Sequence, residues 1–480
     1  MFKYCLLVFL FTQPCFFSQI TFQKTFGGIE DEEANAFVET YDGGFVIAGS
    51  TRSFGAGNFD LYIIRTNQYG DTVWTKTFGS SNYDYSHDII KTDTAEYLIG
   101  AYSSSAQDGN ILLLKIDDNG NTIWSKVVGT EDNDNIERIK KTDDGGFVLC
   151  GDIEKYFEYK YLIWKFNSSG DSLWAKTYDF GRGMDIDQTS DGGYMMVVFP
   201  YAMLTTIHQF QLVRFDSSGD TLWTRFYGGN DVEVAYAGEQ TNDGGYIIAG
   251  RTDSYGNGGS DFYLLKTNAN GEQLWDKTFG GDQDDRAFTM TETTDGGFII
   301  GGYTASFNAG FFDFYLVKTN SSGDTIWTKT CGGNWQEEIY DIKETSDGGY
   351  AAVGYTNSFD AGGNPNIYFV KTDVNGSLTG TDDEEEFVPA NYELMQNYPN
   401  PFNPVTRIQY TIKRYQFVQL KIYDVLGNDI ATLVNEFKPA GHYKTEFNAE
   451  TRINNIASGL YFYQLKTDDF VQTKKMILLR

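Results

Sequence analysis

Apolar residues in this chain come in short, dense runs separated by glycine-rich turns. In the first unit Phe45-Val46-Ile47 and Tyr62-Ile63-Ile64 are nearly continuous, which suits strands covered on both faces. Between the runs, Asp42-Gly43-Gly44 and Tyr69-Gly70-Asp71 supply residues that tolerate positive φ in tight turns. The pattern predicts four antiparallel strands, a to d, at Asn35 to Thr40, Phe45 to Thr51, Leu61 to Asn67 and Thr72 to Phe78.

The unit repeats. D-G-G stands at Asp42, Asp144, Asp191, Asp243, Asp295 and Asp347, with Thr94-Ala95-Glu96 in the second slot, at steps of 47 to 52 residues. Seven units of this length predict a seven-bladed β-propeller with four strands per blade. A phrase close to W-x-K-T-F-G-G marks strand d at Trp74, Trp275 and Trp327, more loosely at Trp124, Trp174 and Trp223. It is missing after Gly376, yet a stub, Gln23 to Gly28, precedes the first unit. Gln19 to Phe26 is therefore expected to supply strand d of the last blade and close the ring, removing the edges that an open solenoid would expose. Antiparallel order puts the d-to-a and b-to-c loops on one face, the looser one, where function is expected.

Four residues beyond the second Gly of each G-G the chain carries an acid: Glu32, Asp84, Asp134, Glu233, Asp285 and Glu337, with Asp185 the nearest in the short fourth unit. One carboxylate per blade suits a ring at the channel mouth that holds Ca²⁺ or a cationic ligand. Equally, each acid suits the role of acceptor for backbone N–H groups at the start of strand a. The b-to-c loop resembles S-[FY]-G-x-G in most units but becomes Glu154 to Lys160 and Pro200 to His208 in the third and fourth. Tyr156, Phe157, Tyr159, Tyr201 and Met203 there form a candidate patch for sugar rings or a protein partner, with blade-on-blade packing as the alternative. The recurring Trp is read as blade packing rather than as a quinoprotein or sialidase motif. Gly170-Asp171-Ser172-Leu173 spells a serine-hydrolase string but is one version of a turn that every unit carries. A basic residue recurs on strand c (Arg65, Lys115, Lys165, Arg214, Lys266, Lys318, Lys371), as expected of a solvated or cross-strand-paired position.

The 480 residues carry a formal net charge of -29 and no basic tract, which argues against a nucleic-acid partner. Met1 to Ser18 reads as a secretory signal, with Lys3 before a short apolar stretch, too short for a good transmembrane helix. Removing it leaves Cys150 and Cys331, in different repeats, so neither a disulfide framework nor a cysteine metal site is expected. His87, His208 and His442 are scattered, and nothing selects a catalytic pair, although carboxylates alone can hydrolyse a glycoside.

After an acidic linker, residues 379–390, the rhythm changes. Tyr398-Pro399-Asn400-Pro401-Phe402-Asn403-Pro404, Ile422-Tyr423-Asp424-Val425-Leu426-Gly427, Ala440-Gly441-His442-Tyr443, Ala457-Ser458-Gly459-Leu460-Tyr461-Phe462 and Lys474-Lys475-Met476 punctuate short alternating strands. These predict a small antiparallel, Ig-like sandwich over residues 391–480. In order and wording the motifs closely resemble the type A C-terminal sorting domain of the type IX secretion system. That resemblance implies export across the outer membrane of a Bacteroidetes-like cell by way of the periplasm, then release or surface attachment, with Lys474, Lys475 and Met476 in the sorting signal. The expectation is an all-β, secreted or surface-displayed propeller over residues 19–378, acting as a non-catalytic binding or adhesion module. A polysaccharide-active hydrolase or lyase is the alternative.

Overall fold

The computed structural model describes residues 19–479 except 94, 105–108, 157, 201–208, 308–309, 360–363, 379–391, 398, 413–415, 439–440, 450–456 and 468–469. The expected signal segment, the acidic linker, Phe157 and Tyr201 thus lie outside the described residues. Seven four-stranded antiparallel sheets make a β-propeller. Blade 1 contributes strands a to d at Glu32–Glu39, Phe45–Thr51, Asp60–Thr66 and Thr72–Phe78, and blades 2 to 6 span 84–128, 133–179, 181–227, 233–279 and 285–331. Strand a starts three residues before its sequence-based limit because Glu32 and Glu33, polar as they are, pair with Thr51 and Ser50.

Blade 7 is built from both ends of the array. Glu337–Glu344, Tyr350–Thr356 and Asn366–Thr372 provide strands a to c, and Phe22–Phe26 completes the sheet. The register runs from Phe22 opposite Lys371 to Phe26 opposite Ile367. Phe22 packs tilted at 5.3 Å against Phe369 and edge-to-face at 6.2 Å against Phe45 of blade 1. Asp341 of blade 7 accepts the Phe37 N–H of blade 1 at 3.1 Å, so the inner wall of this seam is tied as well.

The repeated phrase is a connector between blades. Each Trp lies beneath the c-to-d turn glycine of the next blade. A Cβ on Gly120 would sit 2.8 Å from the Trp74 ring, whose Nε1–H donates to the Asp118 carbonyl at 3.0 Å. The Lys two places on bridges to the residue after that glycine, as in Lys126–Asp171 at 2.7 Å and Lys277–Asp324 at 2.9 Å. In the closing strand Phe22 and Lys24 take these roles against Gly70 and Asp71. The G-G pair threads between blades: a Cβ on Gly280 would meet Asp261 Oδ1 at 1.9 Å and Asp285 Oδ2 at 2.7 Å.

In the D-G-G turns the carboxylate accepts the Thr hydroxyl two residues before it and the N–H of the second Gly, at 2.6 and 2.9 Å for Asp295. The strand-c cation reaches across to the same carboxylate. It is cross-strand paired but not solvated: the Arg65, Lys165, Arg214, Lys266, Lys318 and Lys371 side chains are only 2–5% exposed. Lys115 pairs instead with Glu96, which fills the slot in blade 2. The apolar clusters lie between neighbouring blades, as where Val46 and Ile63 of blade 1 meet Ile99 and Leu114 of blade 2. Cys150 and Cys331 are buried, each as a thiol.

The C-terminal part is a two-sheet sandwich. One sheet orders Glu393–Leu394, Val405–Ile412 and Gly441–Asn448, the other Asp429–Lys438, Gln416–Tyr423, Gly459–Lys466 and Val471–Leu478. Ile408, Leu420, Tyr463 and Met476 are in its core. Buried Phe402 exchanges backbone hydrogen bonds with Ile477 and Leu479, and Asn400 Oδ1 accepts the Ile477 N–H at 2.9 Å. The proline-rich motif that opens the domain is thereby fastened to its last strand.

Candidate ligand-binding site

Of the six acids singled out in the sequence, five start strand a of their blades and Asp134 is second in its own, and every one is buried and turned into its own blade. Glu32 accepts the Gly28 N–H at 2.7 Å and the Thr51 hydroxyl at 2.6 Å. Glu233 takes Gly229 and Thr252, and Glu337 takes Gly333 and Thr356, in the same way. Asp285 binds the Gly281 N–H and the Ser306 hydroxyl, while Asp84 and Asp134 bind the Ser80 and Thr130 N–H groups. This is the backbone-bonded arrangement, not a ring at the channel mouth. Blade 4 breaks the pattern, since Gly181 starts its strand a and Asp185 instead accepts the Gly238 N–H of blade 5 at 2.9 Å. Among the described residues no group of three or more His, Cys, Asp or Glu side chains is placed to hold a metal ion.

In blade 3 the b-to-c loop is shortened to a hairpin between Phe147–Lys155 and Glu158–Phe166, with Tyr156 at its tip. Tyr156 is 87% exposed and has a φ of 53°, a conformation uncommon outside Gly and Asn. Tyr159, half-buried, lies with the Arg182 guanidinium of blade 4 at 6.0 Å from its ring. Phe180 beside them is also exposed. A second aromatic surface lies on the same looser face between blades 6 and 7, where Phe311 and Trp335, each 53% exposed, stack at 5.9 Å and 13°. They line a cavity of about 400 Å³ with Gln336 and Asn357. Backbone bonds from Phe311 to the Trp335 carbonyl, and from the Trp335 N–H to Ser358 Oγ, fix the pair.

The central channel holds the site that sequence reasoning missed. Strand a of every blade carries a β-bulge, at its fourth residue in six blades and at its fifth in blade 3, which inserts one unpaired residue and re-aims its side chain. Blades 1 to 3 place Asn35, His87 and Glu137 there, blade 4 Met184, and blades 5 to 7 Tyr236, Phe288 and Tyr340. Together with Arg138 they line a cavity of about 290 Å³. Its aromatic side is continuous: Tyr236 meets Phe288 at 5.1 Å, and Phe288 meets Tyr340 at 5.9 Å. On the polar side Glu137 pairs with Arg182 at 2.8 Å, and Arg182 also pairs with Asp152. Burial raises the Glu137 carboxyl and pushes Asp152 up to about 6 against the pull of Arg182. Burial, with Arg138 and Arg182 close by, pushes the His87 imidazole down to about 4, leaving it neutral at physiological pH. The one signal in the sequence was variety: the seven copies of this position carry six different residue types.

Residues 396–479 match the family described as the secretion system C-terminal sorting domain. The tail is a type IX secretion sorting domain. The sorting domain carries Lys474, Lys475 and Met476 on Val471–Leu478, the edge strand of its larger sheet, with Met476 in the core and Lys475 exposed. It marks the protein for export by that system, to the outer cell surface or beyond. No curated protein matches the sequence. Similar solved structures include Sqt1 from Chaetomium thermophilum, at 9% identity over 80% of this chain and 95% of that one, with a TM-score of 0.44. YCF48 bound to D1 peptide matches at 9% over 74% and 96%, TM-score 0.43. The β-propeller domain of the Trilobed protease from Pyrococcus furiosus matches at 9% over 76% and 99%, TM-score 0.41. Among the described residues no helix is long and apolar enough to cross a membrane.

Proposed function

We propose that the propeller is a non-catalytic binding or adhesion module, carried through the periplasm and displayed or released by way of its sorting domain. The observation that supports binding most directly is the stacked Phe311–Trp335 pair, exposed beside a cavity of about 400 Å³ on the looser face. Large aromatic side chains left in water cost solvation unless a partner covers them, and flat stacked rings suit sugar faces and protein anchors alike. Tyr156, at the tip of the blade-3 hairpin, offers a second contact on that face, and Tyr159 lies in the same hairpin. Phe157 and Tyr201 complete the patch proposed from sequence. Lys474 and Lys475, on the last strand of the larger sheet, are the proposed contact with the secretion machinery.

The test is a glycan array probed with the mature chain, run beside an assay for release of reducing ends from the bound polysaccharides. Retention on a defined glycan without release is the expected result, weakened at least tenfold by Trp335→Ala. Release of reducing ends would replace this reading with that of a polysaccharide-active enzyme.

A further inference from the structure

We propose that the cavity in the central channel is a binding site for a neutral sugar, taking one or two pyranose rings of a glycan end. The proposal rests on the reading of the propeller as a binding module and names a site and a ligand class for it. The cavity is about 290 Å³, at the small end of ligand pockets, so it suits the end of a chain and not a chain threading through. Tyr236, Phe288 and Tyr340 come from three consecutive blades and form one wall. That is a one-sided apolar platform of the kind that covers the C–H face of a sugar ring.

The polar groups of the lining offer hydrogen bonds that the protein leaves unused. The His87 imidazole and the Tyr236 hydroxyl have no hydrogen-bond partner among the described residues, and Arg138 reaches only the Tyr340 carbonyl, at 3.4 Å. Asn35 commits its amide N–H to the Ser86 carbonyl, which leaves its Oδ1 as an acceptor. Unpaired polar groups in a half-buried cavity are costly unless water or a ligand satisfies them. Donors and acceptors side by side match hydroxyl groups, which act as both.

Charge narrows the class further. The carboxylates of Asp88, Asp185, Asp341 and Glu137 surround Arg138 and hold its guanidinium firmly protonated, so the site has no surplus positive charge for a carboxylate or phosphate. Those carboxylates are themselves engaged, by the Ile139, Gly238 and Phe37 N–H groups and by Arg182. A cation would meet Arg138, and the aromatic rings line one side only and cannot enclose it. A neutral polyhydroxyl ligand is what remains.

The experiment is saturation-transfer-difference NMR on the mature chain, sorting domain included, with D-glucose, D-galactose, D-mannose and N-acetyl-D-glucosamine. D-Glucuronate and choline serve as charged comparators. Transfer to at least one neutral sugar is expected, with affinity at least tenfold weaker in His87→Ala, binding lost in Met184→Trp, whose indole fills the cavity, and no change in Trp335→Ala. His87→Ala removes a ring without hydrogen-bond partners and so reports even where the larger substitution disturbs the fold. Preference for glucuronate or choline, or neutral-sugar binding that persists in both channel variants, would overturn the proposal. If such binding instead disappears in Trp335→Ala, the binding module stands and only the channel site falls. Silence from every sugar, on the array as in the NMR, removes both.

Discussion

Replacing Asp295 by Asn isolates the charge of one D-G-G turn without dismantling the turn. The Asn Oδ1 can still accept the Thr293 hydroxyl and the Gly297 N–H, which Asp295 holds at 2.6 and 2.9 Å. What disappears is the negative partner of Lys318, whose Nζ lies 3.0 Å from both carboxylate oxygens and 2.8 Å from the Thr319 carbonyl. The Lys318 side chain is 2% exposed and the Asp295 side chain 56%. Orphaning one charge of a fully buried pair costs about 3–5 kcal/mol, but water reaches this carboxylate, so roughly 2 kcal/mol is expected, near the worth of a hydrogen bond to a charged group. Lys318→Met removes the buried cation and leaves Asp295 in water, and should cost less than about 1 kcal/mol. With unfolding entropy near 2.1 cal/mol/K per residue, about 2 kcal/mol lowers the melting temperature of a domain this size by roughly 3 °C. Calorimetry of the mature chain should show that drop for Asp295→Asn and a smaller one for Lys318→Met. The double variant should match Lys318→Met alone. Equal losses in the two single variants, or an additive double variant, would refute the reasoning that a buried cation depends on the turn carboxylate.

Three further outcomes follow from the same geometry. Gly280→Ala places a methyl group 1.9 Å from Asp261 Oδ1, and should destabilise the chain by about 2–4 kcal/mol through overpacking between blades 5 and 6, read from the denaturant midpoint. Stability should rise as pH falls from about 6 to about 4, because burial, with Asp285 close by, pushes Asp261 up to about 6 and the folded state then holds its proton more tightly than the unfolded one. Asp261→Asn should flatten that limb of a melting-temperature profile. Below about pH 4 the direction reverses: Asp42, bonded to the Thr40 hydroxyl and paired with Arg65, is pushed down to about 2, and its contribution is lost as it protonates. Deleting residues 391–480 should leave a folded propeller in the periplasm of the producing cell, seen by fractionation, and surface appearance of the truncated chain would contradict the sorting role.

The ring was legible because the sequence writes its own closure. Strands b and d of blade 1 fall at the limits set by the apolar runs and turn glycines, and the Gln23 to Gly28 stub anticipates the strand Phe22–Phe26. The acids were equally visible as a repeat, but spacing along the chain does not say which way a side chain turns. Glu32 and its counterparts face the G-G backbone because that is where unpaired N–H groups lie. The buried strand-c cations were hard to foresee, since the partner of Lys318 sits in a turn 23 residues earlier. The channel residues escaped notice for the opposite reason. Aligning repeats rewards sameness, whereas Asn35, His87 and Tyr236 share a position and nothing else.

Closure by the N-terminal strand is the claim on which the seven-blade count, the single looser face and the enclosed channel all depend. Hydrogen–deuterium exchange of the mature chain tests it at Gln23 to Thr25, paired with Val370 to Tyr368. The account predicts protection there comparable to that of Asn366–Thr372, its neighbouring strand, lost together with it as the ring opens. Exchange of Phe22–Phe26 at the rate of an unstructured chain, beside a protected Asn366–Thr372, would contradict it.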